Sequence, residues 1–527
     1  MGRQFSQRSI GGQRAVPQWL QTILNDTSPP PRPYAWTIEN LDRPQTSEKY
    51  QTRGNSVNSD PDRRVFVLGL GNLGRLYAAC LAQLPNPPPI TLVVHRRSLL
   101  EHWASDPGIE LTRHGILEKL SDFNIEWWTD ERPSVGPVRE IANGGRISNL
   151  IVATKAPDAI PQADSLRRYL RASSTVVFVQ NGVNRLWPPY GEAYNAHRYP
   201  GNNHPNWLHG ITMHGVYSEG PFSSIHASPA DVVVGPVCPN QTQLEKLNYL
   251  TELITQAPHL AGRAVSRSQL WILQLEKLVI NMIINPLSAV LRVKNGELFA
   301  DPDGEVNKVM DVLLQETSSV LQALLRHESS KELLLDDEMS QEALVQRFSA
   351  PNLRQMLDRI GEKVKHNKSS MFQDIETGKQ TEIREFNGWL VETAKSLDQS
   401  LDVSSHRALI DLVEQKTKLD KPELGRHLPQ GQEGKHGSID NEVGLFATDE
   451  VTAVLPFGSS AELFTNTTRP AEPALLEGGE DASTCTLWKI TPGLGCSAIA
   501  VGFAPGKRRA FRYQQTGRET SNTNPDP

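Results

Sequence analysis

Apolar residues recur with two different periods along this chain, and the switch between them divides it. Between residues 63 and 237 they come as short runs, Val65–Leu68, Ile90–Val94, 149–154 and 175–179, each followed by glycine or polar residues. Continuous runs of this length, alternating with helical patterns, predict buried strands of a parallel sheet. The stretch ITMHGVYSEGPFSSIHASPADVVVGPV reads as antiparallel strands closing this half near residue 237, with a helix and connector over 241–263. Residues 184–208, rich in Pro, Asn and Tyr, read as a surface insertion. Beyond residue 298 the period is helical over Glu305–Arg326, 341–365 and 405–419, with a loop or short helix between the first two.

The two halves meet at residues 271–298, WILQLEKLVINMIINPLSAVLRVKNGEL. At about 3.6 residues per turn, Gln274, Lys277, Asn281, Asn285 and Ser288 fall on one narrow face of an otherwise apolar helix. Such a stripe has to meet polar partners or a wet cleft. An unpaired ammonium buried there costs several kcal/mol or lowers its pKa. A lysine whose tip snorkels to the surface is the plainer alternative. Pro286 is expected to kink or end the helix.

The termini follow neither period. Residues 1–25 hold Arg3, Arg8 and Arg14 and no acidic residue, a composition like that of a mitochondrial transit peptide. A disordered basic tail fits equally, so mitochondrial and cytoplasmic locations both stand. Residues 27–62 read as a Pro/Ser/Asn-rich linker, and 420–527, dominated by Gly, Pro, Ser, Thr and Glu, as mostly disordered. A net charge of −6 gives no reason to expect a nucleic-acid partner. The four cysteines have no metal-ligand spacing and suit a reducing compartment. No run of about 18 apolar residues occurs, so no membrane insertion is expected.

Candidate chemistry begins at Gly69-Leu70-Gly71-Asn72-Leu73-Gly74, which follows a predicted strand and opens a predicted helix. That context makes GxGxxG a dinucleotide signature: Gly69 for the tight turn, Gly71 for close approach of a pyrophosphate, Gly74 for helix–strand packing. The next strand ends in His95-Arg96-Arg97, where an NAD site usually has an acidic residue, and cations there suit the 2′-phosphate of NADP. Lys155 and Asn181 follow two further strands, at the end where ligands sit in such sheets.

With ATKA at 153–156, QNGV at 180–183, KLVINMIINPLSA from Lys277, KNGEL from Lys294 and SSMFQDI…TEIREFNG over 369–388, the chain from about 63 to 419 resembles the ketopantoate reductase family. The resemblance implies an α/β fold: an N-terminal Rossmann-type domain binding NADPH, and an all-helical C-terminal domain closing over a small 2-ketoacid. The expected division is a disordered extension over 1–62, a nucleotide domain over 63–262, a helical domain over 263–419 and a tail over 420–527. Carried over by motif, Lys277 resembles the family's catalytic lysine. Asn181, Asn281, Asn285, Asn295 and Ser370 match substrate contacts, and Glu382 the glutamate near the nicotinamide ribose. The glycine loop, Arg96, Lys155, Asn181 and Val216 match cofactor contacts. Ser370 and Gln373 also have capping-box spacing, and Glu382 is expected on a helix running to 397. Leu275 stands where relatives often have Trp, and the 184–208 insertion and the longer region around 327–368 depart from the pattern. The expected reaction is reduction of ketopantoate (2-dehydropantoate) to pantoate, for pantothenate and coenzyme A. Another branched 2-ketoacid, or a non-catalytic mitochondrial regulator on the same fold, are the alternatives. A homodimer is left open.

Overall fold

The computed structural model describes residues 16–42, 60–334, 339–428, 486–488 and 498–500. The strands are β1 (Tyr34–Trp36), β2 (Val65–Leu68), β3 (Ile90–Val94), β4 (Ile109–Arg113), β5 (Ile116–Leu120), β6 (Asn124–Thr129), β7 (Asn149–Val152), β8 (Thr175–Phe178), β9 (Asn206–Thr212), β10 (Gly215–Gly220), β11 (Ser223–Ser228), β12 (Val232–Cys238) and β13 (Gly262–Ala264). A nine-stranded sheet runs β1-β6-β3-β2-β7-β8-β9-β12-β13, parallel from β6 to β9. β2, β3, β7 and β8 are nearly all buried Val, Leu, Ile and Phe, as strands covered on both faces must be. The chain goes outward from β2 in one direction, then returns to β7 on its other side. That reversal opens a crevice beyond the carboxyl ends of β2 and β7, where a doubly wound sheet binds its ligand. A second sheet, β10-β11-β4-β5, packs beside it.

The helices of the nucleotide half are α1 (Gln18–Asn25), α2 (Asn72–Ala82), α3 (Arg97–Ser105), α4 (Ala156–Ser165), α5 (Tyr190–Arg198) and α6 (Leu247–Gln256). α7 (Arg267–Leu291) is the spine of the helical half. Around it stand α8 (Glu305–Arg326), α9 (Glu328–Leu334), α10 (Gln341–Arg347), α11 (Ala350–Lys363), α12 (Ser370–Glu376), α13 (Trp389–Leu397), α14 (Ser404–Glu414) and α15 (Lys421–His427). The helix expected over 341–365 is two, because Ser349 and Pro351 start a new one.

By length and composition α7 could cross a membrane, but 94% of its most apolar window is buried inside this protein. It starts at a capping box in which the Ser266 hydroxyl accepts from Gln269 N–H. Of the two outcomes expected of Pro286, a kink or an end, it does not end the helix, which runs on to Leu291. A proline at 286 has no N–H for the carbonyl of Met282. Asn387 replaces that donor: its Nδ2 donates to Met282 O at 3.0 Å and to His406 Nδ1 at 2.9 Å. His406 Nε2 in turn lies 3.1 Å from Leu313 O and 3.0 Å from Thr317 Oγ1. Burial pulls the imidazole pKa down to about 4, so Nδ1 stays free to accept. Asn387 lies in a π-helical turn, Arg384–Gly388, leading into α13.

Part of each extension is ordered where none was expected. Within 1–62, α1 buries Leu20 and Ile23, and Asp26 pairs with Arg198 at 2.8 Å. β1 pairs antiparallel with β6, and Trp36 packs on Trp127 with ring centroids 5.2 Å apart. The amphipathic QWLQTILN and the YAW edge strand supply enough apolar surface to be held, despite the surrounding prolines. The residues proposed as a transit peptide lie outside the described residues up to 15. Within 420–527, a capping box between Asp420 and Glu423 opens α15, which buries Leu424. The segments Thr486–Trp488 and Ala498–Ala500 pair antiparallel, and the remainder of that tail lies outside the described residues. The 184–208 stretch is not a surface insertion either: Leu186, Trp187, Tyr194, Tyr199 and Trp207 are buried core.

Asn387→Ala is expected to cost about 1–3 kcal/mol, the penalty of an orphaned buried carbonyl. In a Pro286→Ala background, Met282 O regains its helical N–H, so the same change should cost about 1 kcal/mol less. Urea denaturation of the four proteins of this cycle measures the coupling, and strictly additive values would contradict the account.

Candidate active site

The polar face of α7 turns toward the nucleotide half and meets it at Lys277. Its Nζ donates to Asn181 Oδ1 at 3.0 Å and to the Thr212 carbonyl at 2.8 Å. Asn181 follows β8 in the turn that Gly182 allows at φ +87°, and Thr212 ends β9. Burial lowers the ammonium pKa to about 8, and the charge of Glu382 opposes the fall. His209, fully buried on β9, is pushed down to about 3 by burial and by the lysine's charge, so it stays neutral. One turn beyond Lys277, Asn281 Nδ2 is buried and has no hydrogen-bond partner among the described residues, so its donor is available to another group.

The remaining stripe residues divide between ligand space and scaffold. Gln274 bonds Trp187 and the Gly182 carbonyl. Asn285 is buried, and its backbone carbonyl accepts from Ser288 Oγ at 3.0 Å. Ser288 Oγ also lies 2.7 Å from Ser369 Oγ, where it can accept the Ser369 hydrogen. Asn295 is tied to the 364–367 connector, its Nδ2 donating to Val364 O at 3.3 Å. Ser370 is not the helix cap: Ser369 is, accepting from Phe372 N–H, while Ser370 is exposed on the first turn. Both serines have a helix following them, and only packing against Ser288 decides between them.

Glu382 precedes the helix rather than lying on it. Its buried carboxylate reaches across and accepts from Ala156 N–H at 3.0 Å, at the N-terminus of α4. Two ion pairs flank it: exposed Lys155 with Asp374 at 2.7 Å, and Arg185 with Glu385. Asp374, Glu385 and the Thr212 carbonyl escaped the sequence reading; Asp374 and Glu385 stood inside quoted motifs, while a backbone carbonyl leaves no trace in residue type.

The glycine loop fits a dinucleotide. A Cβ on Gly74 would lie 2.0 Å from Gly69 O, and one on Gly69 would lie 2.8 Å from Thr154 Cγ2, so both are required by packing. A Cβ on Gly71 meets nothing within 4 Å: the backbone faces open space at the uncapped start of α2. Leu70 and Leu73 are half-buried beside it. The Asn72 side chain is committed to scaffold, donating to Val216 O at 3.1 Å and accepting from Arg75 at 2.8 Å. The carbonyl of Val216 is thereby already bonded within the chain. Arg96 is exposed at the start of α3. Arg97, expected to share the phosphate, is instead held by Asp42 at 3.4 Å and Glu101 at 3.0 Å, over the Trp36 ring.

A family model described as Ketopantoate reductase PanE/ApbA matches residues 65–238, and one described as Ketopantoate reductase PanE/ApbA C terminal matches residues 270–417. The chain is 42% identical over 446 residues to a ketoisovalerate reductase BEA2 of Gibberella fujikuroi, covering 78% of this chain and 98% of that protein. It is 40% identical over 455 residues to a ketoisovalerate reductase of Beauveria bassiana, covering 78% and 98%. To a 2-dehydropantoate 2-reductase of Escherichia coli O157:H7 it is 26% identical over 368 residues, covering 70% and 99%.

Because Glu382 holds the lysine's pKa up, Glu382→Gln should move it below about 8. Lys277 should then react with an amine-specific reagent at lower pH than in the wild type. Peptide mass spectrometry across a pH series reads the midpoint; an unmoved midpoint would detach the glutamate from the lysine.

Proposed function

The chain belongs to the ketopantoate reductase family, and from that premise we propose that it is an NADPH-dependent reductase of a branched 2-ketoacid of the 2-ketoisovalerate type. The Lys277 ammonium carries the reading. An ammonium has three donors; Asn181 and Thr212 take two, and the third has no partner among the described residues. The unpartnered Asn281 Nδ2 lies one turn along the same helix face. Together they offer a cation and a neutral donor to one ketone and its carboxylate.

NADPH, when bound, supplies the hydride. The backbone N–H groups at Gly71–Gly74 would hold its phosphates, and Arg96 the 2′-phosphate. Asn181 and Thr212 O aim Lys277, whose remaining hydrogen meets the ketone oxygen. Lys277 stabilises the negative charge that develops there and gives up its proton to the alkoxide. Asn281 donates to the substrate without adding charge. Glu382 keeps Lys277 protonated and ties α4 to the helical half. Because Lys277 must be protonated, kcat should fall as pH rises through about 8.

Two considerations favour 2-ketoisovalerate over ketopantoate, which carries an additional hydroxyl. Identity is 42% and 40% to ketoisovalerate reductases and 26% to a 2-dehydropantoate reductase. The Ser369 hydroxyl accepts from Phe372 N–H, and its own hydrogen has Ser288 Oγ and the Asn285 carbonyl within reach, so it is satisfied without a substrate hydroxyl.

In an NADPH-oxidation assay, kcat/KM for 2-ketoisovalerate should exceed that for ketopantoate by about 10²-fold, the discrimination an apolar pocket gives against a hydroxyl. Lys277→Ala should lower kcat roughly 10²–10³-fold with NADPH affinity retained, while Asn281→Ala raises KM more than it lowers kcat. A protein that oxidises NADPH with no branched 2-ketoacid, or a Lys277→Ala enzyme of normal kcat, would overturn the reading.

Arg96→Ser should reduce the preference for NADPH over NADH by about ten- to a hundred-fold, the worth of one charge-assisted bond. Arg97→Ser should leave that ratio nearly unchanged, since its guanidinium is already paired. Steady-state kinetics with both cofactors decides between the two arginines.

A further inference from the structure

Trp187 belongs to the 184–208 stretch that the sequence suggested as a surface insertion, yet it is only 5% exposed, and Gln274 only 2%. Trp187 Nε1 donates to Gln274 Oε1 at 2.5 Å, which fixes which way the amide points. Gln274 Nε2 then donates to the Gly182 carbonyl at 3.2 Å. Gly182 immediately follows Asn181, whose Oδ1 accepts from Lys277. Gln274 and Lys277 lie three residues apart on the same face of α7. The helix thus grips one turn twice, through its backbone at Gly182 and its side chain at Asn181. The far side of that turn is closed as well: a Cβ on Gly182 would stand 3.3 Å from Glu385 O.

We propose that Trp187 and Gln274 are positioning residues for Lys277, acting through the Gly182 turn and Asn181. The inference rests on the functional reading given above for Lys277. Neither residue touches the reacting atoms. Their part is to hold Asn181 Oδ1 where it can take a hydrogen of the ammonium. Without the Gln274 bond the turn is free to shift, and a displacement of about 1 Å at such a contact can cost roughly 10²-fold in rate. Loss of the Asn181 bond also leaves burial less opposed, so the lysine's pKa should drop further. The titratable groups facing Lys277 are Glu382, which raises its pKa, and His209, which is neutral, and neither bonds Trp187 or Gln274.

The test uses the full chain carrying Trp187→Phe, which keeps a buried ring and gives up one hydrogen, and Gln274→Met, which keeps the volume. For each, kcat for 2-ketoisovalerate, NADPH affinity by fluorescence, and the pH midpoint of Lys277 reductive methylation without cofactor are measured. Both variants should lose about 10-fold or more in kcat, hold NADPH within about two-fold, and shift the midpoint below the wild type's value near 8. A merely structural tryptophan or glutamine would lower stability and leave the midpoint in place. Folded variants with unchanged kcat and midpoint would overturn the proposal, and should Gln274→Met not fold, Trp187→Phe decides alone. A wild type inactive on 2-ketoacids would sink the functional reading, while the methylation midpoint would still test the bridge.

Discussion

An ammonium placed in the middle of an apolar helix has to be held by something outside that helix. α7 offers Lys277 no partner of its own, and desolvation works against the charge until other groups compensate. Here the compensation comes from the other domain, through the Asn181 side chain and the Thr212 carbonyl, and at longer range from Glu382 of the helical half itself. The cost of burying one charge therefore specifies how the domains face each other. It also leaves the lysine with a pKa near neutrality, which suits a group that stabilises an oxyanion and then releases a proton.

The surrounding structure maintains that arrangement at several points. α7 must pass Pro286 intact, or Ser288 would leave the face that carries Lys277 and lose its contact with Ser369; the Asn387 amide supplies the donor that the proline lacks. Across the domains, Lys155–Asp374, Arg185–Glu385 and the Glu382 cap on α4 hold the cleft walls together. Exposed ion pairs contribute little singly. The buried glutamate matters more, because its charge serves both a helix terminus and the lysine.

On the nucleotide side the N-terminal arm does what the sequence did not suggest. Trp36 and Asp42 take Arg97 into the scaffold and leave Arg96 alone at the cofactor edge. The arm thus leaves Arg96, the exposed arginine of that run, as the one proposed to meet the phosphate.

Local pattern was sufficient for much of this. A run of four apolar residues before GLGNLG and a 3.6-residue period around Lys277 each depend on neighbours within a few turns, so the strand, the glycine loop, α7 and its polar stripe were legible in order along the chain. The motif around Lys277 likewise pointed to Asn281. What the chain could not disclose alone were contacts between residues far apart in sequence. Ser369 rather than Ser370 caps its helix because Ser288, 81 residues away, bonds it. Arg97 is drawn into an ion pair by Asp42, and Pro286 is tolerated because of Asn387. Residues 16–42 and 421–427 look like tails by composition, but each has a few apolar side chains that fit an existing surface. Composition averages over a segment, whereas burial depends on whether two or three side chains find a complementary site, and only the folded chain presents that site.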